Sequence, residues 1–515
     1  MLAYGARSDG FFPDTFAGQL AADARAAGHH AVIARVYQVG DRGDGDRAIG
    51  NELRAWLDAE RVDVVALERV VDAGPIAAWK RDAPGRRVVL VTRGDSIEPT
   101  ADTDAIVGWQ RGATASGGTR RAVTVWQIAD AFVGLLAALA ADAPLTEAPG
   151  VATVVDGAIA LASPLPPEAA DRRALAPVLD HHVIARGPAP VITRRTLFGN
   201  AGCPYAADPR ALPLYRDLAY PPAIEIAQLG CAFCSLGGDY QRRPDAAVIA
   251  SLVAQARHIT THAPTTTELV LDDQHALRYL ATLVVAAAEA GLPPVRWLFA
   301  ARSDTFVRER ARVEAAIAAA AATGHAIEVY LTGFEAFSDV ELVRYNKGTT
   351  VAEQLAAIAA MRALAAAHPR AFHCATARGH SLLLWNPWTT PEDLAQSIAV
   401  IRAHDLVGLF HELGRNRLRL YPDLPIFHAA ARDGALVDAW DDGDHGAGRG
   451  KGYHVERPWR FLDVRTALAW RLAGALRATL GLTTEAVQLA AAADHAAAWR
   501  GGRADLAEEV ATITA

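Results

Sequence analysis

Gly230-Cys231-Ala232-Phe233-Cys234 sets two thiols at CxxC spacing, with an aromatic residue just before the second. The spacing points to a metal or cluster site rather than a disulfide. Taken alone it also fits a zinc half-site, a redox pair or two buried small side chains. A zinc site needs two more ligands, and no second CxxC or HxxxH is expected to supply them. A third thiol, Cys203, lies upstream in Gly202-Cys203-Pro204-Tyr205. A cubane iron–sulfur cluster held by three thiolates keeps one iron open to a substrate. The chain has enough cysteine for one such site, with Cys374 left over.

Four cysteines among 515 residues argue against a disulfide scaffold and for a reducing compartment. That length exceeds one ordinary core, so two or three domains are expected. The net charge of -7, with a pI near 6.2, gives no general drive toward nucleic acid, and none is expected as a partner. No apolar run reaches the roughly 18 residues that span a bilayer, so no membrane partner is expected either. Ile128 to Ala141 is the longest candidate; it contains Asp130 and reads as a core helix. The N-terminus carries no basic, apolar, small-residue leader pattern, and the chain is expected to be soluble and cytoplasmic.

The fold class expected is α/β. Residues 1–145 alternate short apolar strands (Ala31–Val36, Val62–Leu67, Arg87–Thr92, Ala105–Trp109) with amphipathic helices such as Thr15–Ala27 and Ile49–Glu60. That alternation predicts a doubly wound parallel sheet of Rossmann or flavodoxin type, with ligands at the carboxyl ends of its strands. No GxGxxG follows the first strand, which argues against a dinucleotide site. Residues 146–195, rich in Pro and Ala, read as a linker that partly folds against its neighbours. From 196 to 430 the alternation resumes, with strands at Ile224–Ala227, Leu269–Asp272, Val295–Ala300 and Ile327–Thr332. Gly324 marks a helix end. Thr350-Val351-Ala352-Glu353 is a capping box, and Thr390-Pro391-Glu392 opens another helix. Repeated βα units imply a full or partial barrel, with functional residues just after its strands. Residues 431–515 should be mostly helical after a mobile loop at Asp441–Gly452.

These residues together resemble the radical S-adenosylmethionine (SAM) superfamily, and most of all its branch with an N-terminal cobalamin-binding domain. Gly230 to Cys234 is similar to the end of the family's cluster motif, and Leu271-Asp272-Asp273 to the acidic end of its second strand. Ala301-Arg302-Ser303-Asp304 is similar to its third-strand motif. Gly333-Phe334-Glu335, followed by Asn346-Lys347-Gly348, is similar to its Gly-x-Glu and downstream Asn-Lys-Gly. Tyr421-Pro422-Asp423-Leu424-Pro425 is similar to its proline-rich segment near the barrel's end. The chain departs from the pattern at Ala227, where the first cysteine is expected. Either Cys203 is the missing ligand, brought in across a long insertion, or the cluster site is degenerate. Loop closure costs rise slowly with length, so the insertion is tolerable.

The resemblance implies a [4Fe-4S] cluster on Cys203, Cys231 and Cys234, with SAM chelated by the open iron. It further implies SAM contacts from Arg302 and Glu335, and from Asp272 and Asp273 unless these cap the following helix. Tyr240, Arg242 and Arg243 would shield the cluster or form an ordinary turn. Trp385-Asn386-Pro387-Trp388 would wall a substrate pocket or pack the rim, and Cys374 is by default a core residue. Cobalamin fits the N-terminal domain, although Asp-x-His-x-x-Gly is absent and Thr92-Arg93-Gly94 replaces the usual Gly-Gly. The activity expected is SAM cleavage to a 5'-deoxyadenosyl radical, serving cobalamin-dependent methylation of an unactivated carbon. Alternatives are cobalamin-independent hydrogen abstraction, or a degenerate homologue that binds a small molecule or partner protein. Expected partners are a small-molecule or peptide substrate and an electron donor such as flavodoxin or ferredoxin.

Overall fold

The structure, a computed structural model, describes residues 2–4, 13–37, 44–67, 74–92, 101–108, 123–156, 158–166, 174–185, 191–220, 229–234, 236–237, 240–374, 380–410, 413, 416–439, 457–480 and 485–514. The strand expected at Ile224–Ala227 and the loop expected at Asp441–Gly452 lie outside them, as do Arg93 and Gly94.

The N-terminal part runs β1 (Leu2–Tyr4), α1 (Pro13–Ala26), β2 (Ala34–Tyr37), α2 (Asp44–Ala59), β3 (Val64–Leu67), α3 (Gly74–Arg81), β4 (Arg87–Val91), β5 (Ala105–Val107) and α4 (Val125–Ala140). Its five strands pair in parallel in the order β2-β1-β3-β4-β5, the flavodoxin-like doubly wound order. Helices cover both faces. Phe16, Leu20, Ile128 and Phe132 fill one side and Leu53, Leu57 and Trp79 the other. Each such side chain, fully buried, stabilises the fold by about 1.5–3 kcal/mol.

Residues 146–195, expected as a linker, enlarge this sheet. Antiparallel β6 (Val151–Val155) and β7 (Ala158–Ala162) extend it beyond β5, and parallel β8 (His182–Ala185) adds to β2. The strands are short and interrupted by prolines such as Pro164 and Pro166, so no long alternation marks them in the sequence.

The second sheet begins with β9 (Arg194–Phe198). After it come α5 (Pro213–Arg216), α6 (Asp245–His262), β10 (Glu268–Asp272), α7 (Leu280–Glu289), β11 (Arg296–Ala300), α8 (Ser303–Arg308), α9 (Arg310–Thr323), β12 (Ala326–Leu331) and β13 (Gly333–Glu335). Then follow α10 (Asp339–Arg344), α11 (Val351–Ala367), β14 (Phe372–Cys374), β15 (Ser381–Leu382), α12 (Pro391–Ala403) and α13 (Pro425–Arg432). Five strands pair in parallel as β9-β10-β11-β12-β14, so the described strands form an open sheet rather than a closed barrel. β13 and β15 pair in parallel as a separate two-stranded sheet, and Trp385 forms an isolated parallel bridge with Arg417. Helices Val464–Leu480, Glu485–Ala498 and Leu506–Thr514 close the chain. Among the described residues, no helix is long and apolar enough to cross a membrane.

A ladder of alternating charge crosses the amino ends of this sheet. Arg194 on β9 meets Glu268 on β10 at 2.7 Å, and Arg296 on β11 reaches Glu268 at 3.3 Å and Glu328 on β12 at 3.0 Å. It pins the register of four strands and leaves their carboxyl ends for chemistry. The two sheets touch through their flanking segments. Arg243, just before α6, lies 5.6 Å from the ring centroid of Trp126 in the first turn of α4. The Thr196 amide on β9 donates to the Thr15 hydroxyl on α1 at 3.3 Å.

Candidate functional site

With β9 as first strand, Cys203 follows that strand's end at Phe198, where a functional loop of a βα unit begins. The described segments around Cys203 and Cys231 pair with each other. The Cys203 amide donates to Leu236 O at 2.8 Å, and Cys203 bridges Gly237 in parallel. Gly230 N donates to Ala207 O at 2.8 Å. Gly230 has φ +96°, and a Cβ there would fall 2.5 Å from Gly237 Cα, so the two strands of the loop meet glycine on glycine. Asn346 fastens the loop from outside, its Nδ2 donating to Gly230 O (2.6 Å) and Ala207 O (3.1 Å). Ala232 N donates to Tyr345 O at 2.9 Å, and Phe233 packs edge-on against the Tyr345 ring at 5.3 Å. The aromatic residue between the thiols therefore anchors their turn to the core.

Cys203, Cys231 and Cys234 come within electrostatic reach of one another. Burial first, then the Cys231 thiol, push Cys234 up to about 12, with Cys203 adding in the same direction. Burial also raises Cys203, and Cys231 adds to it. No three His, Cys, Asp or Glu side chains among the described residues converge tightly enough to hold a single metal ion. A cubane does not require that, because each thiolate binds a different iron. The donors are all thiols, and two cations, one buried and one half-buried, stand beside them, a set that fits an iron–sulfur cluster better than a hard or single-ion site.

Those cations are Arg302 and Lys347. Arg302, just beyond β11, directs Nη1 at Cys231 Sγ (3.8 Å), Nη2 at Lys347 O (2.6 Å) and Nε at Asp304 Oδ1 (3.0 Å). Its guanidinium covers the Tyr205 ring at 3.9 Å. Each nitrogen already has a protein acceptor. Lys347 Nζ pairs with Glu335 Oε1 at 3.0 Å, and Ser381 Oγ donates to Glu335 Oε2 at 2.9 Å. Lys347 and Glu335 are both buried. Burial pulls the Lys347 pKa down, but Glu335 and Cys231 outweigh it and the net shift is upward. Glu335 and Asn346 both have positive φ, +67° and +48°, so backbone strain collects at this site.

Asp273 is fully committed inside the protein. Its Oδ2 accepts from Asn200 N (3.0 Å), Asn200 Nδ2 (2.8 Å) and Tyr279 Oη (2.7 Å), and its Oδ1 from Tyr240 Oη (2.8 Å) and His275 N (2.8 Å). The bond to His275 N is a local turn contact rather than the cap of the following helix expected as the alternative to SAM binding, and those from Asn200 and Tyr240 tie the cysteine loop to the end of β10. Asp272, half-buried, ends β10 beside Phe198 of β9. Tyr240 belongs to this network, Arg243 turns to Trp126, and Arg242 is exposed.

The structure is similar to that of the cobalamin-dependent S-adenosylmethionine radical enzyme OxsB with aqua-cobalamin and S-adenosylmethionine bound. The TM-score is 0.53 at 12% identity, over 94% of this chain and 68% of OxsB. Against apo, selenomethionine-labelled OxsB the TM-score is 0.57 at 13% identity, over 96% and 70%. The chain has the OxsB fold. No protein-family model and no curated protein matches it.

In this OxsB-like fold, Trp385-Asn386-Pro387-Trp388 packs rather than lines a pocket. Trp385 is buried edge-on against Phe461 and Trp470. Asn386 Nδ2 donates to Glu341 Oε2 (2.5 Å) and Tyr345 Oη (2.8 Å), and Trp388 Nε1 to Asp433 Oδ2 (2.8 Å). Cys374, on β14, is half-buried between two apolar clusters. The HxxxH pair discounted in the argument against zinc is present in the chain: His258 and His262 stand at that spacing on α6, but they meet Pro177 O and His258 O rather than the thiols. Tyr205, Asn346, Lys347 and Ser381 join the site without having been singled out for roles. Three of them sit inside quoted motifs, which was the available signal.

Proposed function

We propose that the chain is a radical SAM enzyme in which Cys203, Cys231 and Cys234 hold a [4Fe-4S] cluster, with cobalamin on the N-terminal sheet serving methylation of an unactivated carbon. The observation that carries the reading is the meeting of three thiols with half-buried Arg302 and buried Lys347 at the carboxyl edge of a parallel sheet. When bound, such a cluster supplies the low-potential electron that cleaves SAM to methionine and a 5'-deoxyadenosyl radical.

The protein's own groups prepare that site. Three thiolates leave one corner of a cubane open, and the Gly230–Gly237 contact and Asn346 hold the loop that presents two of them. Phe233, packed on Tyr345, helps exclude water. Glu335 offers a buried carboxylate suited to the ammonium of SAM, with Lys347 and Ser381 fixing its orientation. Asp272, at the end of β10, remains a candidate for the ribose hydroxyls; Asp273 serves by holding the loop in place.

Cobalamin is supported by the flavodoxin-like strand order, by the contact of Arg243 with Trp126 of the N-terminal unit, and by an OxsB structure that binds aqua-cobalamin with SAM. The segments that follow β1 to β5, where it would rest, lie outside the described residues. The electron would come from a flavodoxin or ferredoxin, and the substrate is a small molecule or peptide.

The test is anaerobic incubation of cluster-loaded protein with SAM and a one-electron reductant, after purification from cobalamin-supplied cells. Release of 5'-deoxyadenosine by wild type but not by Cys231→Ala supports the radical reading. A cobalamin absorbance spectrum retained at about one per chain supports methylation. SAM cleavage without retained cobalamin moves the assignment to hydrogen abstraction alone. No cleavage by loaded protein leaves a binding role.

A further inference from the structure

Arg302 sets a donor against the Cys231 sulfur, in a neighbourhood it shares with a second cation, Lys347. Its Nη1 stands 3.8 Å from Cys231 Sγ, while Nε, Nη2 and the ring face are held by Asp304, Lys347 O and Tyr205. The side chain is only 14% exposed. The other cation, Lys347, has its charge offset by Glu335 at 3.0 Å. Asp304 offsets Arg302 less completely, because it is shared with Arg308 at 3.4 Å.

We propose that Arg302 is a positioning residue that sets the reduction potential of the cluster by donating an N–H to the Cys231 sulfur, rather than a contact to the SAM carboxylate. The inference rests on the cluster reading above. On one-electron reduction by an external reductant the cluster gains one negative charge, and no protein bond or proton is exchanged. Charge on the thiolate sulfurs grows in that step. A fixed N–H donor and a positive charge therefore stabilise the reduced form more than the oxidised one, and the potential rises. The guanidinium keeps its proton at every working pH, so the effect is constant with pH. Three anchors hold it in place, so it does not reorganise when the electron arrives. Asp304 opposes it, and removing that carboxylate exposes more of the positive charge.

The experiment is EPR-monitored redox titration of the reconstituted full chain, comparing wild type, Arg302→Met, Arg302→Lys and Asp304→Asn. At one poised potential, Arg302→Met is expected to show a reduced-to-oxidised ratio about tenfold below wild type, which for one electron is about 59 mV more negative. Arg302→Lys should recover part of the loss, and Asp304→Asn should shift the ratio upward. A merely structural role would change iron content without this pattern of opposite signs. Wild-type ratios in Arg302→Met, or shifts of one sign in Arg302→Met and Asp304→Asn, overturn the inference. If Arg302→Met holds no iron, wild-type ratios in both Arg302→Lys and Asp304→Asn overturn it equally. Wild type that assembles no cluster overturns the functional reading itself, and iron analysis reveals that before any titration.

Discussion

Lys347 and Glu335 are buried as a full ion pair beside three thiols, and the pair has to be complete to be tolerable. Lys347→Met leaves a charged Glu335 with only Ser381 to satisfy it. In cluster-free protein that change should cost about 3–5 kcal/mol in urea unfolding, and Lys347→Met with Glu335→Gln should recover much of it. A single-variant loss near zero would mean that water reaches the pair. Residue identity was well marked in the sequence where a short pattern carried it. The thiols, Arg302 and Glu335 were all picked out, and the structure brings them into one neighbourhood. Their partners were not legible, because Arg302 is defined by Tyr205, Asp304 and Lys347, which only the fold assembles.

Capping was the most readable feature among the elements. The Thr350 hydroxyl accepts from Glu353 N at 3.3 Å, and Glu353 returns to Thr350 N at 2.7 Å, closing the box that starts α11. Thr390 and Asp393 do the same at α12, with Pro391 first in the helix. Gly324 ends α9 in the left-handed region at φ +75°. Thr350→Ala should cost about 1 kcal/mol, read as a lower urea midpoint with unchanged slope. A null result would show that the packing of Ile358, Met361 and Leu364 holds the helix start unaided. β9 was hidden because its leading Arg194-Arg195 reads as a solvated turn. In the sheet Arg194 is half of a cross-strand pair with Glu268, information held on β10. Brevity and prolines hid the individual strands β6 to β8 within a stretch legible only as a linker that partly folds against its neighbours.

The whole molecule joins a mixed, mostly parallel sheet to a parallel one, with Arg243 and Trp126 in contact between them. Alternation in the sequence was enough for the class of both sheets, but not for their pairing edges, which depend on long-range partners. The molecule's acid response follows from two buried imidazoles. Burial lowers the pKa of His325 and of His428 below the ordinary 6.5, with backbone carbonyl contacts opposing it only in part. The unfolded chain therefore takes up protons first, and stability falls as pH drops through that value. Unfolding free energy should decline between about pH 7.5 and 5.5, and His325→Gln should flatten the slope. An unchanged slope would assign the acid response elsewhere.

The central claim is that one cluster rests on Cys203 together with Cys231 and Cys234. Anaerobic reconstitution of wild type and Cys203→Ala, followed by iron and sulfide analysis and EPR of the reduced protein with and without SAM, tests it directly. A four-iron signal that SAM perturbs in wild type, and that disappears in Cys203→Ala, is the predicted result. A full cluster and SAM cleavage retained in Cys203→Ala, or no cluster in wild type, would contradict it.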